Sequence, residues 1–365
     1  MKGREVVMDK QLLTLLVKEK LLKAEQHKPL EVGSPWYVKV LLAFSGWLAA
    51  SFFLGFWASL FSQLYRNTPA LIGIGLILIF AAYFLLKLKK ANEFIEHLAL
   101  AISLAGQVLL LLAVMNEINF RATTVIFIVL GVMQLFLAII MPNFVHRVFS
   151  SFFAVLSFAA AIYEAQNASS GLHIYSAFIL LIAVFLWLNE FKSPKWFEMI
   201  QANAYGLVLA LIGIKGTTLF IYTNVWHTSI SQSSEWLKPW MGEVLLSAVT
   251  LYLVWKLLQR NKLEPLSLTG LLALFGTLFL TLLSLQAQGL ILGVVIILLG
   301  FSSSNRVLLG LGVISLLFFI SSYYYWLDNS LLEKSLTLLL LGLVLIFGYW
   351  LIGRLLPDTR QGERV

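Results

Sequence analysis

The sequence contains no cysteine, which excludes disulfides, iron–sulfur clusters, thiolate metal sites and cysteine catalysis. Charge is scarce: 12% of the 365 residues are Asp, Glu, Lys or Arg, against about a quarter in soluble domains. Proline is absent from the middle of every long apolar run. Pro29, Pro35, Pro69, Pro142, Pro194, Pro239, Pro265 and Pro357 all fall in tails, between runs or at their ends, so the runs can form unbroken helices. That counts against transporters that bind ions on proline-interrupted helices, although glycine could serve the same purpose. Neither G-x-S-x-G nor G-x-x-x-x-G-K-[ST] occurs, which argues against an elbow-type serine hydrolase and a P-loop ATPase. The histidines are His27, His97, His146, His173 and His227. They stand one per segment without metal-ligand spacing, so no metal, haem or other cofactor is expected.

What is abundant is apolar. Ala, Val, Ile, Leu, Met, Phe, Trp and Tyr make up 60% of the chain, and the mean hydropathy is +0.88. At about 20 residues per bilayer crossing, that allows ten or more spans and leaves little for a separate soluble domain. Reading runs of about 17 to 25 residues predicts twelve spans. They are Tyr37 to Gln63, Pro69 to Leu86, Phe94 to Met115, Ala122 to Met141, Val145 to Tyr163, Gly171 to Leu188, Ile200 to Tyr222, Trp240 to Leu258, Leu266 to Leu285, Gln288 to Phe301, Val307 to Leu327, and Leu331 to Gly353. The tenth is short enough to be re-entrant. The expected fold is thus an all-α polytopic membrane bundle of about twelve transmembrane helices with both termini cytoplasmic. A cytoplasmic tail covers residues 1–36, the bundle 37–353 and a second tail 354–365.

The basic residues support that orientation. With a cytoplasmic N-terminus, 21 Lys and Arg lie inside and 5 outside, the latter being Arg66, Arg121, Lys215, Lys238 and Lys334, as the positive-inside rule requires. The net charge of +8 therefore reads as an adaptation to the anionic inner leaflet of the lipid bilayer, and no nucleic-acid partner is expected. Residues 1–36 carry charges throughout and lack an apolar h-region, so no cleaved signal peptide is expected. Within them, Leu12, Leu13, Leu16, Val17 and Leu21 fall on one side at helical spacing, which predicts a helix on the membrane surface or docked on the bundle's own loops. Gly73 with Gly75, Gly289 with Gly293, and Gly310 with Gly312 are expected to form small-residue ridges for close helix packing.

Two stretches carry a family resemblance. Ser34, Pro35, Trp36, Tyr37, Val38 and Lys39, then Gly46, Trp47, Leu48, Ala49 and Ala50, then Phe53, Leu54, Gly55 and Phe56, resemble the bacterial membrane proteins grouped as domain of unknown function 4401. Tyr323, Tyr324, Tyr325, Leu327, Asp328, Leu331, Leu332, Glu333, Lys334 and Ser335 are similar to that family's tyrosine-rich turn and Leu-Glu-Lys-Ser helix start. The resemblance implies a multi-pass protein of the bacterial inner membrane, often encoded near envelope proteins of the GDYXXLXY type. It supplies no established activity and no catalytic residues.

Charged groups within spans are costly and so mark where to look for function. Lys215 lies seven residues before Tyr222, roughly 10 Å from the outer end of its span, a depth from which a lysine can also snorkel to water. In the next span Glu243, Ser247 and Thr250 share a face. Thr277, Thr281, Ser284 and Gln288 repeat the pattern in the ninth, and Glu333, Lys334 and Thr337 open the twelfth. All these stripes would open outward, which predicts a polar cavity lined by Lys215, Glu243, Ser247, Thr281, Glu333 and Lys334. The bland alternative is that Ser and Thr bond their own helix carbonyls while Lys215 pairs with one glutamate to hold the bundle together. Ser103 and Gln107 share a face deeper in the third span and could line the same interior.

Three functional readings follow. The first is a transporter-like protein whose outward cavity takes a small solute, with Lys215 supplying the positive charge for an anionic group. The second is a non-catalytic scaffold or sensor that engages an envelope partner through the outer aromatic turn of Tyr323, Tyr324, Tyr325 and Trp326, a composition also suited to a membrane-interface belt. The third is an intramembrane transferase acting on a lipid-linked substrate through outer carboxylates. An enzyme is the least favoured of the three.

Overall fold

In the computed structural model the described residues are 67–87, 93–118, 122–166, 170–192, 194–222, 239–262, 267–284 and 289–326, with single positions between 38 and 55, at 264, and between 331 and 346. Ten α-helices fill the described stretches: α1 Thr68–Lys87, α2 Glu93–Ile118, α3 Thr123–Ile140, α4 Phe144–Gln166, α5 Ser170–Asn189, α6 Phe197–Tyr222, α7 Pro239–Arg260, α8 Leu268–Ser284, α9 Leu290–Ser302 and α10 Arg306–Trp326. They stand where the second to eleventh apolar runs predict helices. The first and twelfth runs lie largely outside the described residues, and the N-terminal surface helix wholly so. Seven helices, α1 to α7, are long and apolar enough to cross a membrane. With no water in the hydrocarbon to satisfy backbone groups, a long apolar run has little choice but to become a helix. At 13 residues, α9 rises only about 20 Å.

Helix boundaries follow local chemistry. Asn67, Asn143, Ser267 and Asn305 each accept a backbone N–H of the first turn of α1, α4, α8 and α10 through their side chains, satisfying donors that have no intrahelical partner. Asn305 also accepts the Tyr205 hydroxyl at 2.8 Å, which ties the start of α10 to α6. Between α3 and α4 the chain turns through extended Met141 and Pro142.

Packing begins with hairpins: α1 lies along α2, α3 along α4, and α9 along α10. Non-sequential pairs then join them, α4 against α6 and α5 against α7. The core is a continuous apolar cluster centred on Leu180, Val184, Leu211, Leu246, Leu253 and Leu292, all fully buried. Outward the helices present Phe80, Phe136, Phe185, Phe275 and Ile314, each strongly exposed, as a lipid-facing surface does.

Glycine permits several of the contacts. A Cβ at Gly75 would lie 2.9 Å from the carbonyl oxygen of Gly106, and one at Gly300 would meet the backbone of Leu309. The expected ridges are corrected in part. Gly75, Gly293 and Gly312 do meet a neighbouring helix, whereas among the described residues nothing lies within 4 Å of where a Cβ on Gly73 or Gly310 would stand. Gly289 precedes α9 in a left-handed conformation, with φ of 91°, rather than continuing a helical ridge. Its lack of a side chain there leaves room for the ring of Phe319.

Candidate functional site

Three helices bring ionisable side chains together in one buried place. Lys215 projects from α6, Glu243 from the first turn and a half of α7, and His173 from the first turn of α5. The Lys215 ammonium donates to Glu243 Oε1 at 2.5 Å. His173 Nδ1 lies 3.4 Å from Lys215 Nζ and 3.7 Å from Glu243 Oε1. From α8, the Ser284 hydroxyl donates to the second carboxylate oxygen, Glu243 Oε2, at 3.5 Å. Lys215 is 1% exposed and Glu243 3%, so the pair is sealed from surrounding solvent.

Each partner is placed by its helix. Gly242 immediately precedes Glu243, and a Cβ on it would collide with the backbone and Cβ of His173. That absence lets α7 come close enough to α5 for the carboxylate to reach past it to α6. Lys215 follows Leu211 and Ile214, both buried in the apolar core, so its stem is packed and only its ammonium is polar. Such a pair does not justify itself as a fastening. Desolvating two ions costs several kcal/mol each, and apolar residues of similar volume often serve as well or better.

The remaining sequence-derived candidates divide. Ser247 donates to the carbonyl of Glu243 at 2.7 Å, Thr250 to that of Leu246 and Thr281 to that of Leu278. These hydroxyls satisfy their own helices, and the Ser284 hydroxyl is the one on this face of α8 that reaches the charged pair. Glu333 and Lys334 lie outside the described residues, as do residues 223–238. The aromatic turn forms the end of α10, where Tyr324 and Tyr325 meet edge to face at 5.8 Å and Tyr325 is 79% exposed. The side chains of Tyr323 and Trp326 are outside the described set. His173 was missed as a site residue. The available signal was its depth, since it starts a span on the same side that Lys215 and Glu243 approach.

Ser103 and Gln107, expected to line the same bundle interior, belong to a centre separate from Lys215 and Glu243. The Gln134 amide on α3 donates to Gln107 Oε1 at 2.7 Å, and the Gln107 amide donates to Ser103 Oγ at 3.1 Å. Ser103 Oγ lies 2.8 Å from His146 Nε2 on α4, whose Nδ1 lies 3.0 Å from Ser150 Oγ. All five side chains are buried. The chain thus crosses α2, α3 and α4 and ends at Gln134 Oε1, for which no further hydrogen bond is found. No sequence periodicity joins these residues, because they lie on three helices. Among the described residues no three His, Asp or Glu side chains group as metal ligands do.

Neither a curated protein nor a solved structure matches the sequence. A family model does match, over residues 35–355, and its span takes in every described helix, the charged centre and, Ser34 apart, both stretches of resemblance at the ends. This membrane-embedded chain belongs to the family described as domain of unknown function 4401.

Proposed function

We propose that the chain is a transporter-like protein of the bacterial inner membrane, and that the Lys215–Glu243 centre is where a small anionic solute binds. The observation that carries this reading is the burial of a full ion pair on separate helices, Lys215 at 1% and Glu243 at 3% exposure, with His173 and Ser284 beside it. Intramembrane charges are expensive and are retained chiefly where they do work. Glu243 neutralises Lys215 until the outer ends of α6, α7 and α8 separate and a solute anion takes its place. Ser247 and Thr281 line the opening.

The absence of cysteine gives a clean test, because an introduced thiol would be the only one present. Single cysteines at Ala210, Ser247, Thr281 and Thr337 would be probed with membrane-impermeant reagents from each side of oriented vesicles. Labelling of the same mid-span positions from both sides supports alternating access. Labelling from the outside alone, or from neither side, overturns it.

A second reading draws on the exposure of Tyr325: a scaffold that docks an envelope partner of the GDYXXLXY type through the turn of Tyr323 to Trp326. Tyrosine and tryptophan dominate interaction hot spots. A photo-crosslinker at Tyr325 that captures such a partner in cells, together with one-sided thiol labelling, would favour it.

A further inference from the structure

A groove of about 760 Å³ runs between α7 and α8, within the size range of small-molecule pockets. Tyr252, Trp255, Leu268, Leu271, Phe275 and Leu278 form much of its wall, which is almost wholly hydrocarbon. The wall is open to the surroundings: Phe275 is 71% exposed, and Leu268, Leu271 and Trp255 are exposed as well. One end of it is strongly basic. Lys256, Arg260 and Lys262 are all exposed there, within the last turns of α7 and the turn that follows.

The two features are joined by a contact. The ammonium of Lys256 stands 5.9 Å from the centroid of the Tyr252 ring, a cation–π arrangement on a ring that is itself part of the groove wall. Lys256 also donates to Gln259 Oε1 at 3.3 Å, which fixes it at the groove's mouth. Arg260 follows one turn later. The acidic groups near this end are exposed Glu264 and buried Glu190, the latter within electrostatic reach of Arg260. Neither touches Lys256. A hydrocarbon trough that ends in Trp, Tyr and paired cations has the polarity profile of a membrane leaflet: apolar, then interfacial aromatic, then phosphate.

We propose that the α7–α8 groove binds one anionic phospholipid, an acyl chain lying along Leu271 and Phe275 and the phosphate resting between Lys256 and Arg260. The charge asymmetry of the sequence assigns that end to the cytoplasm, so the lipid comes from the inner leaflet. A protein helix is a poorer occupant, because three clustered cations at the mouth ask for a concentrated anion. The site is independent of Lys215 and Glu243 and of any transport through them.

The full-length protein in nanodiscs of phosphatidylglycerol mixed with phosphatidylcholine, released into native mass spectrometry, tests the site. Wild type is expected to retain phosphatidylglycerol in preference to phosphatidylcholine. A basic side chain near an anionic surface is worth roughly fivefold in affinity, so Lys256→Gln with Arg260→Gln should lose roughly twentyfold or more of the preference. Leu271→Trp, which fills the trough, should reduce retention of both lipids. Lys87→Gln is the control: Lys87 stands over Tyr83 at 5.2 Å at the end of α1, and its loss should leave the preference unchanged. All four side chains are on the surface, so folding is not at risk, and unchanged melting in neutral detergent would confirm it. Equal retention of the two lipids by wild type overturns the proposal, and so does a Lys87 variant that loses as much as the α7 variants.

Discussion

Gly242 lies against the backbone and Cβ of His173, so α7 crosses α5 at a separation that no other residue permits. The crossing is what carries the neighbouring Glu243 to within a hydrogen bond of Lys215 on a third helix. A glycine and a charged centre are therefore linked: the first sets the distance that makes the second possible.

Gly242→Ala should destabilise the protein by about 1–3 kcal/mol, the range for overpacking a filled interface. It should also expose the charged pair. Thermal unfolding in detergent measures the first effect, and reactivity of Lys215 toward an amine reagent measures the second. An alanine variant with wild-type melting and an unreactive Lys215 would show that the α5–α7 crossing absorbs a methyl group without disturbing the pair.

Removing one member of the Lys215–Glu243 pair leaves the other buried and uncompensated. Lys215→Met or Glu243→Gln alone should each cost about 3–5 kcal/mol, whereas the double variant Lys215→Met with Glu243→Met should recover most of the loss. Melting temperatures of the three variants check this. Stability restored together with lost two-sided labelling separates a functional charge from a structural one. Restored stability and unchanged labelling would make the pair a fastening alone.

The tautomer of His146 decides which way its two hydrogen bonds run. Gln107 donates to Ser103 Oγ; with the Ser103 proton then donated to His146 Nε2, the imidazole's own proton sits on Nδ1, facing Ser150. Nitrogen-15 spectra of histidine-labelled protein, assigned by a His146→Gln variant, should therefore show a neutral ring protonated at Nδ1. An Nε2-protonated ring would mean that Ser103 accepts from both Gln107 and His146.

The same chain makes its members unequal. Gln107 is bonded on both sides, to Gln134 and Ser103, so Gln107→Leu strands two buried groups. Gln134 is bonded on one side and already leaves an oxygen unmatched, so Gln134→Leu strands only one. Interhelical hydrogen bonds in membranes average about 0.6 kcal/mol and reach about 1.7. The Gln107 variant should lose roughly twice as much stability as the Gln134 variant, and equal losses would show that the two side chains do not act in series.

Gly289 supplies the tight start of α9 at φ 91° with Phe319 packed where a Cβ would be. Gly289→Ala should cost about 1–3 kcal/mol through backbone strain and the clash with that ring together. Gly310→Ala, with nothing among the described residues within 4 Å of the new Cβ, should be neutral or slightly stabilising. A melting comparison of the two decides it.

The helices were legible from the sequence because the bilayer makes backbone satisfaction a local matter. A run such as Ala122 to Met141 must close its hydrogen bonds within itself, so its apolar length alone locates α3. Lys215 and Glu243 were legible for a similar reason, as charges where charges are costly. What the sequence could not decide was partnership. Whether Ser247 turns to its own carbonyl while Ser284 reaches across to Glu243 depends on how two helices are rotated about their axes. Whether Gln107 meets His146's neighbour or Lys215 depends on which helices pack together, and side-chain spacing along one helix carries no information about another. Tertiary packing brought His173 to Lys215, joined Ser103 to His146, and left the wall of the α7–α8 groove uncovered, because each is a distance between residues far apart in the chain.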